Sequence, residues 1–208
     1  MNKIMQIYEK LFEFYGPQHW WPAEDKEEII IGAILTQNTA WKNVEKAIQN
    51  LKAKNLCNLA AIFETDIEEL KDAIKSAGFF NQKSIYLKNI SRLFKEEGGI
   101  EKLSNFQTEK LRKKLLNVKG IGKETADSIL LYAFQRPIFV IDAYTKRLAE
   151  RHKLTEKLDY DSLQRLFTNN LPKDHQLFNE YHALIVKNAK EFCRKKPDCK
   201  NCPLKEFL

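Results

Sequence analysis

The sequence predicts an all-α protein, and three observations carry that expectation. Apolar residues recur at spacings of three and four along most of the chain. Gly and Pro are scarce, at seven and six of 208 residues, and most of them fall between the periodic segments as punctuation. Only Ile138-Phe139-Val140-Ile141 looks strand-like, and four apolar residues serve equally well as a buried connector.

The elements follow in order. Ile4, Ile7, Tyr8, Leu11 and Phe14 give a first amphipathic helix over Met1 to Tyr15, stopped by Gly16 and Pro17. Glu27 to Leu35, largely apolar and hence central, and Val44 to Leu51 predict two more, separated by the polar turn Thr36-Gln37-Asn38-Thr39. Leu59 to Ala77, Lys83 to Glu96 and Thr108 to Leu116 continue the period, with Gly78, the Gly98-Gly99 pair, Gly120 and Gly122 as breaks. A further helix opens at Lys123, and Asp142 is placed to cap another over Ala143 to Arg151. No fixed-period repeat or low-complexity linker interrupts the series. The length suits one compact domain or two small lobes, and any lobe division is expected to be crossed by the long helices.

At 43% hydrophobic and 30% charged residues, the chain has the profile of an ordered helical protein rather than a disordered one. The net charge of +7 favours a polyanionic partner such as nucleic acid, although the sign alone is a weak signal. Met1 to Gly16 lacks the apolar run of a secretory leader, and no stretch is long enough to cross a bilayer, so cytoplasmic residence is the default expectation. Cys57 stands alone while Cys193, Cys199 and Cys202 crowd the carboxy end, which is a poor disulfide framework and a candidate metal site.

The chemistry-bearing candidates begin with Val118-Lys119-Gly120-Ile121-Gly122, between the helix that includes Leu111 and the helix opening with Lys123, Glu124, Thr125 and Ala126. Two glycines two apart permit positive φ and leave the backbone bare, so the first N–H groups of the second helix can meet a phosphate oxygen beside Lys119 and Lys123. A plain helical hairpin with glycine as a stop accounts for the same residues. Asp142, likewise, reads as a helix cap or as a lone catalytic carboxylate, and the two roles are compatible.

Gly120-Ile121-Gly122-Lys123-Glu124-Thr125-Ala126 followed by Ile138-Phe139-Val140-Ile141-Asp142 resembles the hairpin and catalytic-aspartate signature of the helix-hairpin-helix DNA glycosylases of the endonuclease III superfamily. Ile34-Leu35-Thr36-Gln37-Asn38-Thr39, Ser76-Ala77-Gly78-Phe79 and Tyr181-His182-Ala183-Leu184-Ile185 extend the likeness over nearly the whole chain. The resemblance implies two α-helical lobes flanking a DNA-binding cleft. On that plan lobe A spans roughly 27–134, lobe B roughly 1–26 with 135–208, the helix-hairpin-helix 108–134, and a cysteine-containing loop 193–208.

By the same resemblance Asp142 stabilises the oxocarbenium-like sugar as the base departs and orients or deprotonates the attacking water. Members that also nick the backbone carry a lysine where this chain has Glu124. A carboxylate forms no Schiff base, so Glu124 in the active site implies a monofunctional glycosylase that uses water. Trp21, Pro22 and an aromatic at Trp41, with Ser76 to Lys83, are similar to the endonuclease-III-like 3-methyladenine DNA glycosylases. An indole face would stack on a flipped base and attract an alkylated purine that carries positive charge. Tryptophans in these places also serve as core plugs, and the match favours Trp21 and Trp41 over Trp20. Gln37 falls where the family inserts a side chain into the gap left by the flipped nucleotide. Lys119, Gly120, Gly122, Lys123 and Thr125 complete the implied DNA-binding set.

Cys193, Cys199 and Cys202 resemble the iron–sulfur loop that ends many members, but the fourth cysteine is due near Leu208 and the first gap is one residue short. A [4Fe–4S] cluster with a non-cysteine ligand, a three-iron cluster and a metal-free relic all remain open. Lys190, Arg194, Lys195, Lys196 and Lys200 form a basic patch there in any case. The expected partner is double-stranded DNA bearing a damaged base, met by a monomer, with no membrane. The rival expectations are a bifunctional glycosylase-lyase for oxidised bases and a non-catalytic hairpin protein that only binds DNA.

Overall fold

The computed structural model describes residues 2–208, which fold entirely as helices and connectors; no strand occurs among them. The chain forms two compact units, one of residues 2–22 with 135–208 and one of Ala23–Phe134. The chain passes between units at residues 22–23 and 134–135, outside any helix, so the expectation that long helices would cross a division does not hold. Pro22 has no N–H to donate to a helix, and Gln135 takes φ +53°, which ends the helical run before it. No helix among the described residues is long and apolar enough to cross a membrane.

In the unit Ala23–Phe134, α2 (Lys26–Leu35) is the axial element. Asp25 caps it by accepting the Glu28 N–H at 2.9 Å, and Ile30 to Leu35 are all buried. Burial on every side follows from its neighbours, since α3 (Trp41–Ala53), α6 (Phe80–Glu96) and the later segment 123–133 all pack on it.

The single helix expected over Leu59 to Ala77 is three pieces: α4 (Leu59–Glu64), α5 (Ile67–Ala73) and a 3-10 turn, Lys75–Ala77. Asp66 makes the break. Its carboxylate accepts the N–H groups of Glu68 and Glu69, and a side chain that bonds the backbone ahead of it starts a helix more readily than it continues one. The apolar period ran across the break because both pieces bury the same side, through Leu59, Ile62, Leu70 and Ala73. Next come α7 (Gly99–Ser104), not foreseen, and α8 (Thr108–Leu116), which has the expected bounds. Then α9 (Lys123–Ser128) runs into a π-helical stretch, Ile129–Ala133, closed by the Phe134 N–H on the Ile129 carbonyl at 3.2 Å.

The other unit packs α1 (Lys3–Tyr15), α10 (Ala143–Arg151), α11 (Tyr160–Asn170) and α12 (His175–Glu191) around an aromatic core. Phe139 stacks on Phe167 with centroids 4.4 Å apart, meets Phe178 edge-on at 5.3 Å, and lies 5.7 Å from Tyr181. The Tyr181 hydroxyl donates to the Ile4 carbonyl at 2.8 Å, so this buried phenol is satisfied. Residues 138–141 are the connector, not a strand. Phe139, Val140 and Ile141 are buried, and the Phe139 carbonyl is taken by the Gln164 amide at 2.8 Å instead of by a neighbouring strand. Anchored by that core, the connector delivers Asp142 to one fixed place at the start of α10.

Candidate active site

The hairpin between α8 and α9 is pinned from several sides. Arg112 on α8 makes a two-pronged contact with Asp127 on α9, at 2.6 and 2.9 Å, and the Asp127 side chain is fully buried. The Asn89 amide on α6 donates to the Lys119 carbonyl at 3.1 Å. Gly120 has φ +100°, and a Cβ built there would stand 2.1 Å from Cδ1 of Tyr86, so the ring occupies the space a side chain would need. Gly122 departs from expectation. Its φ of −87° is ordinary extended backbone and the space beside it is open, so of the two glycines only Gly120 requires the left-handed region.

At the start of α9 no side chain caps the helix, and Gly122, Lys123 and Glu124 are all exposed, as is Lys119. Glu124 stands in the first turn and Thr125 is buried behind it. The Gln37 side chain reaches this hairpin. Its amide donates to the Gly120 carbonyl at 3.1 Å and to the Thr125 hydroxyl at 2.9 Å, so the structure brings together three residues that the sequence named separately.

Two residues of this region were passed over as individual site candidates. Phe79 is 62% exposed with φ +47°, an unusual conformation for a bulky side chain, and it stands at the head of α6 just beyond the 3-10 turn. Lys83, by contrast, is 2% exposed and donates to the Leu35 carbonyl, the Thr39 hydroxyl and the Ala77 carbonyl at 2.8, 2.7 and 2.9 Å. Burial pulls its ammonium down to about 8, so at neutral pH it keeps three donors for three oxygens. A lysine on the buried side of α6, in the row Lys83, Leu87, Ile90 and Phe94, was the available signal.

In the other unit Asp142 is 9% exposed and caps α10, with Oδ1 accepting the Thr145 N–H at 2.7 Å. Its Oδ2 lies 3.5 Å from Nε2 of His182 on α12. Burial by itself would raise the carboxyl. The facing His182 and the bonds from His182 and Thr145 together outweigh burial and hold it below the ordinary carboxylate range. Asp142 is therefore anionic at neutral pH in a mostly water-excluded place. His182 belonged to a motif recognised in the sequence without a role, because no spacing rule joins positions 40 apart.

Helix α12 also lines, within one turn of His182, a cavity of about 310 Å³ together with Gln18 and Trp20, through Ala183, Val186, Lys187 and Lys190. Trp20, not the favoured Trp21, lines it; the two indoles meet edge-on at 5.4 Å. Pro22 is exposed after them. Trp41 opens α3 in the other unit, and its indole N–H donates to Glu45 at 2.8 Å.

Cys193, Cys199 and Cys202 converge on one cavity beside Arg151 and His152. The enclosed space is about 10 Å³, room for one water-sized sphere. Arg151 donates to the Cys193 sulfur at 3.1 Å, and among the described residues no group of three Cys, His, Asp or Glu is arranged to hold a metal ion. The donor set is one thiolate short and does not fit a cluster held by four.

A model of the HhH-GPD superfamily of base excision DNA repair proteins matches residues 31–173. The chain belongs to that superfamily. Superfamily membership makes it a DNA glycosylase, an enzyme of base excision repair. A Methanocaldococcus jannaschii protein provisionally named DNA repair glycosylase MJ1434 is 50% identical over 98% of this chain and 94% of its own length. Endonuclease III of Rickettsia conorii is 30% identical over 97% of this chain and 95% of its own. Among solved structures, the H. pylori 3-methyladenine DNA glycosylase bound to 1,N6-ethenoadenine is 30% identical with a TM-score of 0.80, over 90% of this chain and 97% of that one. An endonuclease III–DNA complex is similar in fold, with a TM-score of 0.83 at 18% identity, over 100% of this chain and 96% of that one.

Proposed function

We propose that this glycosylase is monofunctional, flips an alkylated purine of the 3-methyladenine type out of double-stranded DNA, and hydrolyses its N-glycosidic bond. The observation that carries the reading is Asp142: an anionic, buried carboxylate held by Thr145 and facing His182, whose helix α12 lines, within one turn of His182, a cavity large enough for a purine. An alkylated purine already carries charge and leaves without a general acid, so one carboxylate that stabilises the sugar cation and takes a proton from water suffices. The likeness to a 3-methyladenine glycosylase supports the same substrate class.

The base stacks on Trp20, while Lys187 and Lys190 suit the phosphates of the extruded nucleotide. Lys119, Lys123 and the bare backbone from Gly120 to Thr125 grip the duplex backbone, and Gln37 leaves its bonds to Gly120 and Thr125 to face the orphaned partner base. Phe79, exposed and stiffly presented, is a second probe of the gap. Trp21, Pro22 and Trp41 remain base-pocket candidates. The protein acts as a monomer in the cytoplasm.

The test is base release from a panel of duplexes holding 3-methyladenine, 7-methylguanine, 1,N6-ethenoadenine, hypoxanthine or an oxidised pyrimidine. The expected result is fastest release of an alkylated purine, with Trp20→Ala slowing it about 10- to 100-fold, the value of one lost base–aromatic stack. Preferential release of the oxidised pyrimidine overturns the reading. Borohydride treatment during turnover is expected to trap no covalent adduct, because Glu124 offers no amine; a robust adduct would mean that a lysine elsewhere attacks the sugar.

A further inference from the structure

The structure assigns to Lys83 a positioning role: its buried ammonium staples the turn that carries Gln37 to the turn that carries Phe79, so that both probes reach DNA in fixed register. The assignment rests on the proposed function, in which those two side chains meet the duplex.

Lysine is among the residues least often fully buried, and an apolar side chain would fill the same volume without desolvating a charge. What Lys83 supplies instead is three donors on one atom. One goes to Leu35, whose carbonyl is at the end of α2, and one to Ala77, whose carbonyl is at the end of the 3-10 turn. Both are terminal carbonyls that lack a helical partner, and that of Leu35 also lies at the negative end of α2. The third goes to the Thr39 hydroxyl, which itself contacts the Ala77 and Gln37 carbonyls. Gln37 is two residues beyond Leu35, and Phe79 is two beyond Ala77. A single nitrogen thus fixes the roots of both turns, although they are some 40 positions apart in sequence.

The expected result of Lys83→Met is a split. Affinity for undamaged duplex stays within about twofold, because the hairpin lysines are untouched, while single-turnover base release falls about tenfold, the scale of a small misplacement of positioning groups. In a Gln37→Ala/Phe79→Ala background the same substitution is expected to cost nothing further, since the groups it positions are gone. An equal proportional loss in both backgrounds overturns the assignment, for it marks a merely structural lysine. Should Lys83→Met fail to fold, Thr39→Val, which removes one of the three acceptors, is taken through the same cycle. Hydrogen exchange separates this inference from the reading beneath it. Loss of the staple is expected to raise exchange together at residues 37–39 and 78–80 even if no lesion is ever released; a rise in one turn only, or in neither, overturns it.

Discussion

Asp142→Asn is expected to slow base release about a thousandfold or more while leaving the chain folded and bound to DNA. The magnitude combines loss of a general base, worth about 10² to 10⁴, with loss of the negative charge opposite the sugar cation. The fold survives because asparagine keeps what the cap needs, an oxygen that accepts the Thr145 N–H. Single-turnover release of labelled base, beside a binding isotherm on the same duplex, measures both halves. Release by the variant at the wild-type rate would remove Asp142 from the chemistry. The pH dependence has a definite sign. The folded carboxyl titrates below its unfolded value, so its contribution to stability is fully present above the ordinary carboxylate pKa of about 3.9 and is lost as pH falls through the folded value. Activity is accordingly expected to show no acid limb from Asp142 between about pH 5 and pH 8.

Gly120→Ala is expected to destabilise the protein by about 3 kcal/mol, lowering Tm by roughly 6–12 °C, and to weaken binding to any duplex, damaged or not. Two costs coincide. Alanine is strained at φ +100°, and its Cβ would stand 2.1 Å from the Tyr86 ring, which must shift and carry the hairpin with it. Gly122→Ala is the internal control. Gly122 has ordinary extended backbone and open space, so alanine there is expected to change Tm by no more than about 2 °C. Thermal unfolding of the two variants side by side decides, and equal losses would mean that the Tyr86 contact does not govern the hairpin.

The helices legible in the sequence were those that one clear local signal bounds. For α8 it is the apolar spacing and for α10 the Asp142 cap, and the bounds are as expected. The stretch 59–77 misled because burial of one side persists across the Asp66 cap, so periodicity alone cannot locate the break. Asp142 and the hairpin glycines stood out as local patterns. His182, Trp20, Phe79 and Lys83 did not stand out as individual candidates, since what distinguishes them is exposure, burial or a partner distant in the chain.

The sequence by itself determined that this protein is all-α, that a Gly-Ile-Gly hairpin flanked by lysines separates two of its helices, and that Asp142 heads another. Those properties are written in spacings of a few residues, which local backbone geometry reads directly. Only the tertiary structure decided that His182 and Thr145 hold Asp142 anionic despite burial, that Trp20 is the indole on the cavity, and that Gln37 is tied to Gly120 and Thr125. Charge state and contact depend on distance in space, and α12 and α2 come to their partners only once the core has packed.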